Sequence, residues 1–228
     1  MTIVHNKSDL QVNTTQSPVQ QDQGAPMGRR QRRAAETRLR LFRCALQLFS
    51  ERGFFNVTVE DITEAADVGK GTFFNYFESK EHVLGVMAEI QIGKVREALA
   101  QAETEKLAMR VVLQRLFQRL AEEPGRSPDL ARTVISSFLA SEGVRLVVRE
   151  QMARGREALA AIFANGQRNG EINRQLKKDE LAVLVQQQVL GTILLWSLGG
   201  DQRLESAMER TFQHFWRAIA QPRTEESS

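Results

Sequence analysis

The chain has little of what most small-molecule chemistry needs. One cysteine, Cys44, stands among 228 residues, so no internal disulfide can form, and a reducing, cytoplasmic setting fits. Three histidines and that cysteine are scattered along the chain and make no metal-ligand set. No Ser/His/Asp arrangement and no paired carboxylates stand out, so no catalytic residues are assigned and a helical enzyme is the weaker reading. No long apolar run is present either. The most apolar stretch, VLGTILLWSLGG at 189–200, is shorter than the ~20 residues that cross a bilayer, and suits a buried helix. Residues 1–27 lack an apolar core segment and show no secretory signal. Only five prolines punctuate the chain, and Ala, Leu, Arg, Glu and Gln abound, which predicts an all-α protein.

What is present is uneven. Net charge is only +3, yet Arg29, Arg30, Arg32, Arg33, Arg38, Arg40 and Arg43 crowd one stretch opposed by Glu36 alone. Such a run is either a solvated helix face or a contact for a polyanion. The preceding segment, NTTQSPVQQDQGAP, buries too little apolar area to offset ordering entropy, so 1–27 read as a disordered extension, with Met27 as an alternative start.

The periodicity predicts a helix over 31–51, with Leu39, Phe42, Ala45/Leu46 and Phe49 inward and Gly53 as its stop. Thr58 offers an N-cap and Asp61 stands where a capping-box partner belongs, opening a short helix over 59–66. Asp67-Val68-Gly69 makes a turn, a second short helix covers 70–76, and Ser79 caps a longer one. This is a helix-turn-helix inside a three-helix unit. Helices are further predicted at 104–122, 128–140, 143–168, 178–198 and 203–220, broken at Pro124-Gly125, Ser127-Pro128, Gly170 and Gly199-Gly200.

The lysine flanked by glycines in ADVGKGTFFNYFESK invites a nucleotide-loop reading. It fails: the first glycine of G-x-x-x-x-G-K-[ST] is Glu64, and the hydroxyl position is Gly71. On a helix starting at Lys70, Phe73 and Phe77 instead share a face and point inward. Lys70, Gly71 and Phe74 then face outward, with Thr72, Asn75 and Tyr76 at the edges, the layout of a helix whose outer side chains meet base edges. Lys70 can donate to guanine, Gly71 lets backbone approach closely, Thr72 suits a phosphate or a thymine methyl, and Asn75 suits adenine.

At these residues the sequence resembles the TetR family of bacterial transcriptional regulators. The resemblance runs from Gly53 to Leu84, GFFNVTVEDITEAADVGKGTFFNYFESKEHVL, on Thr58, Ile62, Ala66, Val68, Lys70-Gly71-Thr72, Tyr76-Phe77 and Ser79-Lys80-Glu81. It implies a homodimeric, ligand-responsive regulator, in most cases a repressor, on palindromic double-stranded DNA. Thr58, Tyr76 and Lys80 fall where the family contacts phosphate, and Arg29, Arg30, Arg32 and Arg33 would form a flexible arm. Phe74 departs from the frequent tyrosine, Asp67 from glycine and Gly69 from serine.

The resemblance also divides the chain: 28–84 for DNA binding, 85–221 for effector binding and dimerisation, and 222–228 as a disordered tail. The last two helices would form a four-helix dimer interface through Leu184, Val189, Ile193, Trp196, Met208, Phe212 and Phe215, unless they are simply core. The central helices would enclose an unknown small-molecule effector. Met109, Phe117, Phe138, Met152 and Phe163 are candidate lining and Arg110, Ser136 and Ser137 candidate orienting groups, although ordinary core residues show the same spacing. No cofactor and no membrane partner is expected. A protein–protein adaptor that has lost DNA binding remains the alternative.

Overall fold

The computed structural model describes residues 28–104, 107–199 and 203–222. Expectations for 1–27, Met27 included, and for 223–228 lie outside the described residues. The element order is α1 (Arg29–Arg52), α2 (Val59–Ala65), α3 (Lys70–Phe74), α4 (Lys80–Thr104), α5 (Met109–Ala121), α6 (Pro128–Ala140), α7 (Glu142–Arg168), α8 (Lys178–Ser197) and α9 (Leu204–Ile219). Single 3-10 turns occupy Phe54–Asn56 and Pro124–Arg126. Among the described residues the only β-type pairing is an isolated antiparallel bridge between Ile172 and Ala220.

The predicted helices are all found, the one over 128–140 with the expected ends and the others with ends shifted. The helix expected over 104–122 begins at Met109, where the Glu171 carboxylate accepts the Met109 N–H at 2.7 Å. The second short helix ends at Phe74, with Asn75 as its C-cap.

Helix α1 starts at Arg29, so the four arginines expected in a flexible arm are its first turns. The physical reason is local: arginine and alanine are strong helix formers, and the Gln31 side chain accepts the Gly28 N–H at 3.1 Å. Its buried face is also rotated from the expected one. Leu41, Phe42, Ala45, Leu48 and Phe49 are buried, and Leu39 is 45% exposed. Leu39 lies roughly 60° further round the helix than Phe42, beyond the arc that α2 and α6 cover.

Two apolar cores form. The first gathers α1, Phe54, Val57, Ile62, Ala66, Phe73, Phe77 and the start of α4, and is closed by Val144 and Val148 of α7. The second joins α4, α5, α7, α8 and α9 around Phe117, Phe163, Phe212 and Phe215. Helix α4 runs unbroken from one core into the other, and its contact with α7 is the most extensive helix pairing in the molecule. Close approach there depends on Gly85: a Cβ at that position would stand 2.5 Å from Val147 Cγ1.

Candidate nucleic-acid interface and apolar cavity

The short helices are held by a cap and by two rings. The Thr58 hydroxyl accepts the Asp61 N–H at 3.1 Å, and Asp61 Oδ2 accepts from the Thr58 N–H at 2.8 Å and the Thr58 hydroxyl at 2.6 Å. The capping box therefore closes with aspartate in place of the preferred glutamate. These bonds, the Thr58 hydroxyl foremost, hold the Asp61 carboxyl below the usual carboxylate range. Asp67 takes the left-handed conformation, φ 49°, at the position where the turn often carries glycine.

Phe73 and Phe77 then seat α3: both are buried, with ring centroids 5.4 Å apart, in the same core as Phe42, Phe49 and Ile62. That seating turns Lys70, Gly71, Phe74 and Asn75 to solvent and leaves Thr72 and Tyr76 partly exposed. Phe74 is 49% exposed, a large ring with nothing of its own chain over its outer face.

Three cations at this surface already hold partners. Lys70 Nζ bonds the Glu60 carboxylate, and this bond, as the leading cause, lowers the Glu60 pKa. Arg38 pairs with Glu89 at 3.6 Å and lies 5.7 Å above the Phe77 ring. Lys80 is more deeply engaged. Its ammonium donates to the carbonyls of Phe54 and Val57 at 3.0 and 2.9 Å and sits 4.6 Å over the Phe54 ring. It ties the Phe54–Val57 turn to the first residue of α4, a structural part that the sequence reading did not foresee. Arg29, Arg30, Arg32 and Arg33 are all exposed on the first turns of α1.

Where the two cores meet, an apolar cavity of about 210 Å³ lies between α4, α6, α7 and α8. Phe138 and Met152 line it. The other pocket candidates do not. Met109, Phe117 and Phe163 are buried in the neighbouring core, where Phe117 packs on Phe212 and Phe215. Arg110 donates to Gln213, Ser136 and Ser137 both donate to the Thr133 carbonyl, and none of the three lines the cavity. The wall is built instead from such residues as Leu84, Ile92, Val134 and Val189.

Sequence reasoning missed the polar chain at its edge. Lys94 is buried, and its ammonium bonds Glu123 and the Arg119 carbonyl and pairs with Glu122 at 3.0 Å. Glu123 in turn accepts from Gln91 Nε2 at 3.3 Å. A signal existed: Gln91 interrupts the stripe Leu84, Met87/Ala88, Val95, Ala98 at helical spacing.

The dimer candidates divide. Met208, Phe212 and Phe215 are buried within one chain's own core, because α9 turns that stripe onto α5, although Phe215 also reaches the floor of the α8/α9 groove. Leu184, Val189, Ile193 and Trp196 are partly buried on α8. Other apolar side chains of α8 and its C-cap are more exposed: Leu195 at 71% and Leu198 at 65%. Leu195 lines a groove shared with α9 and bordered by Thr192, Arg210 and His214.

The arrangement has known counterparts. Residues 41–87 match the family model for bacterial regulatory proteins of the tetR family. The chain is 31% identical over 150 residues to the HTH-type transcriptional repressor DhaR of Mycobacterium sp. (strain GP1), covering 65% of this chain and 76% of that one. The chain belongs to the TetR family. It is a DNA-binding transcriptional regulator of that family. It is also 32% identical over 149 residues to the HTH-type transcriptional regulator TcmR of Streptomyces glaucescens, covering 52% of this chain and 66% of that protein. In fold it matches Thermus thermophilus FadR, solved in complex with lauroyl-CoA, with a TM-score of 0.62, 24% identity, and coverage of 84% of this chain and 99% of that one. As a TetR-family chain it carries the all-helical architecture of the family, a reading domain followed by a larger helical domain. No helix among the described residues is long and apolar enough to cross a membrane.

Proposed function

We propose that this TetR-family protein is a cytoplasmic, homodimeric repressor that an apolar small molecule releases from a palindromic operator. The observation that carries the DNA side is the seating of α3, with Phe73 and Phe77 buried while Lys70, Gly71, Phe74 and Asn75 face solvent. A five-residue helix held this way presents its outer side chains to a major groove as a rigid unit. Lys70, Gly71, Thr72, Phe74 and Asn75 read bases; Thr58, Tyr76, Lys80 and the arginines of α1 hold phosphate and set the register. Lys70 leaves Glu60 for the DNA at small cost, since exposed pairs contribute little.

One half-site binds weakly, and two reading helices must sit ~34 Å or a multiple apart. Exposed Leu195, with Leu184 and Trp196 in the same α8/α9 groove, supports dimerisation there, because apolar surface of that kind marks an interface. The apolar cavity supports an effector site, and the similarity to FadR, whose structure holds lauroyl-CoA, points the same way. Helix α4 supplies the coupling. It begins beside α3, anchored through Lys80, and forms part of the cavity wall through Leu84, Gln91 and Ile92. An effector that favours one placement of α4 over another changes the spacing of the two heads, and operator and effector then weaken each other equally.

Fluorescence anisotropy with duplex DNA from upstream of the protein's own gene tests this. Affinity should fall with salt by ~0.9 log units per log salt for each phosphate neutralised. Lys70→Ala should relax base preference; an equal loss on operator and random DNA would remove Lys70 from base reading.

A further inference from the structure

The cavity wall contains three polar side chains, Gln91, Gln151 and Gln186, and no charged one. Gln186 is spent within the fold: its Nε2 donates to the Met152 carbonyl at 2.8 Å and its Oε1 accepts from Arg156 at 3.2 Å. Gln151 is partly exposed to solvent. Gln91 differs from both. Its Oε1 is buried and has no hydrogen-bond partner among the described residues.

The orientation of that amide is not arbitrary. Glu123 is paired with the buried Lys94 ammonium, and a carboxylate so paired only accepts hydrogen bonds. The arm of the Gln91 amide that meets Glu123 must therefore be the NH₂, as found at 3.3 Å. The oxygen is then the other arm of a side chain that lines an otherwise apolar wall. Lys94 is itself fixed by the Arg119 carbonyl at the end of α5, so the chain Arg119–Lys94–Glu123–Gln91 holds the acceptor in place. A buried acceptor without a donor is costly, and a ligand that brings one donor removes the cost.

On these grounds we infer that the cavity takes an uncharged, ring-sized apolar molecule carrying one hydrogen-bond donor, a phenol-type hydroxyl, which Gln91 Oε1 accepts. This rests on the effector reading above and specifies its ligand. Size agrees: an apolar cavity of ~150 Å³ holds benzene, and this one, at about 210 Å³, leaves room for a ring with a short substituent. Charge agrees as well. No cation lines the cavity to meet a carboxylate or a phosphate, and Glu123 behind Gln91 opposes an anion. A simple acyl chain would leave the acceptor unpaired.

The test is isothermal titration calorimetry on the full chain with two isomers of equal atom count, 4-ethylphenol and 4-methylanisole, which differ in having or lacking the hydroxyl. The expected result is binding of the phenol about tenfold or more tighter than the ether. Gln91→Leu should abolish that preference, mainly by improving the ether. Gln91→Met, unbranched and of similar length, provides the same comparison should the leucine variant fold poorly. Equal affinity of the isomers for the wild-type chain, or a preference that survives in both variants, overturns the assignment to Gln91. Absence of phenol binding overturns it too. Lauroyl-CoA and 4-ethylphenol are then each added to the protein–operator complex. Release by lauroyl-CoA alone leaves the effector reading standing while the donor-bearing ring falls; release by neither removes both.

Discussion

Gly85 offers a measurement in which the sign of an effect should reverse. In a helix, alanine is favoured over glycine by ~0.8–1 kcal/mol. At position 85 that gain meets an obstacle, since the new Cβ would lie 2.5 Å from Val147 Cγ1. Carbon atoms pack best at ~3.5–4.0 Å, so about 1 Å must be found. Val147 is β-branched and on a helix, where one χ1 well dominates, so it cannot simply swing aside. Overpacking of this kind costs about 1–3 kcal/mol. Gly85→Ala in the wild-type background should therefore lower stability by about 0–2 kcal/mol after the helix gain is deducted. With Val147→Ala already present, Cγ1 is gone and the same Gly85→Ala change should stabilise by ~1 kcal/mol. The coupling between the two sites is the clash itself, about 1–3 kcal/mol. Urea unfolding of all four proteins at one concentration, followed by helical circular dichroism, measures it. Equal effects of Gly85→Ala in the two backgrounds, within ~0.5 kcal/mol, would refute the claim that this contact sets the α4–α7 separation. Because α4 leads from the reading head to the cavity, operator affinity should follow the same pattern.

Three other outcomes are expected. Phe73→Ala empties a fully buried ring site beneath α3 and should cost about 3–5 kcal/mol, with operator binding lost before the fold, read by urea midpoint and anisotropy together. Lys80→Ala removes both carbonyl contacts and the ring contact; it should lower the urea midpoint and reduce the salt slope of operator binding by at most one phosphate, so a lower midpoint with an unchanged slope assigns Lys80 to structure alone. Asp61 has a folded pKa below its unfolded value near ~3.9, so its contribution is complete above about pH 4 and is lost as pH falls through the folded pKa. Asp61→Asn should accordingly show a shallower loss of stability below about pH 4, and an unchanged acid limb would show that the cap does not titrate with the fold.

How much was legible in advance depends on the range of the interaction. Many helix ends follow from caps, glycines and prolines within four residues, which is why Ser127-Pro128 marks the start of α6 so closely. The α3 pattern was equally readable, because Phe73 and Phe77 need only a 3.6-residue period and one core to define inside and outside. The arginine arm was misjudged: charge clustering says nothing about whether the first helix extends through it. The inward stripe of α9 had the right period, but period alone cannot tell a partner chain's core from the chain's own, so the sequence left both open for Met208 and Phe212, which the structure buries in the chain's own core.

The amino-acid sequence by itself determined the helices, the Thr58 cap, the family and the outward set on α3, since each rests on neighbours a few positions apart. Only the tertiary structure decided which buried residues enclose a cavity and which fill a core, that Lys80 clasps a turn, that Gly85 must lack a side chain, and that Gln91 is left with an unpaired oxygen. Those facts depend on groups such as Lys94 and Glu123, or Gly85 and Val147, brought together from 29 to 62 positions apart by helix packing, and no local pattern encodes such a meeting.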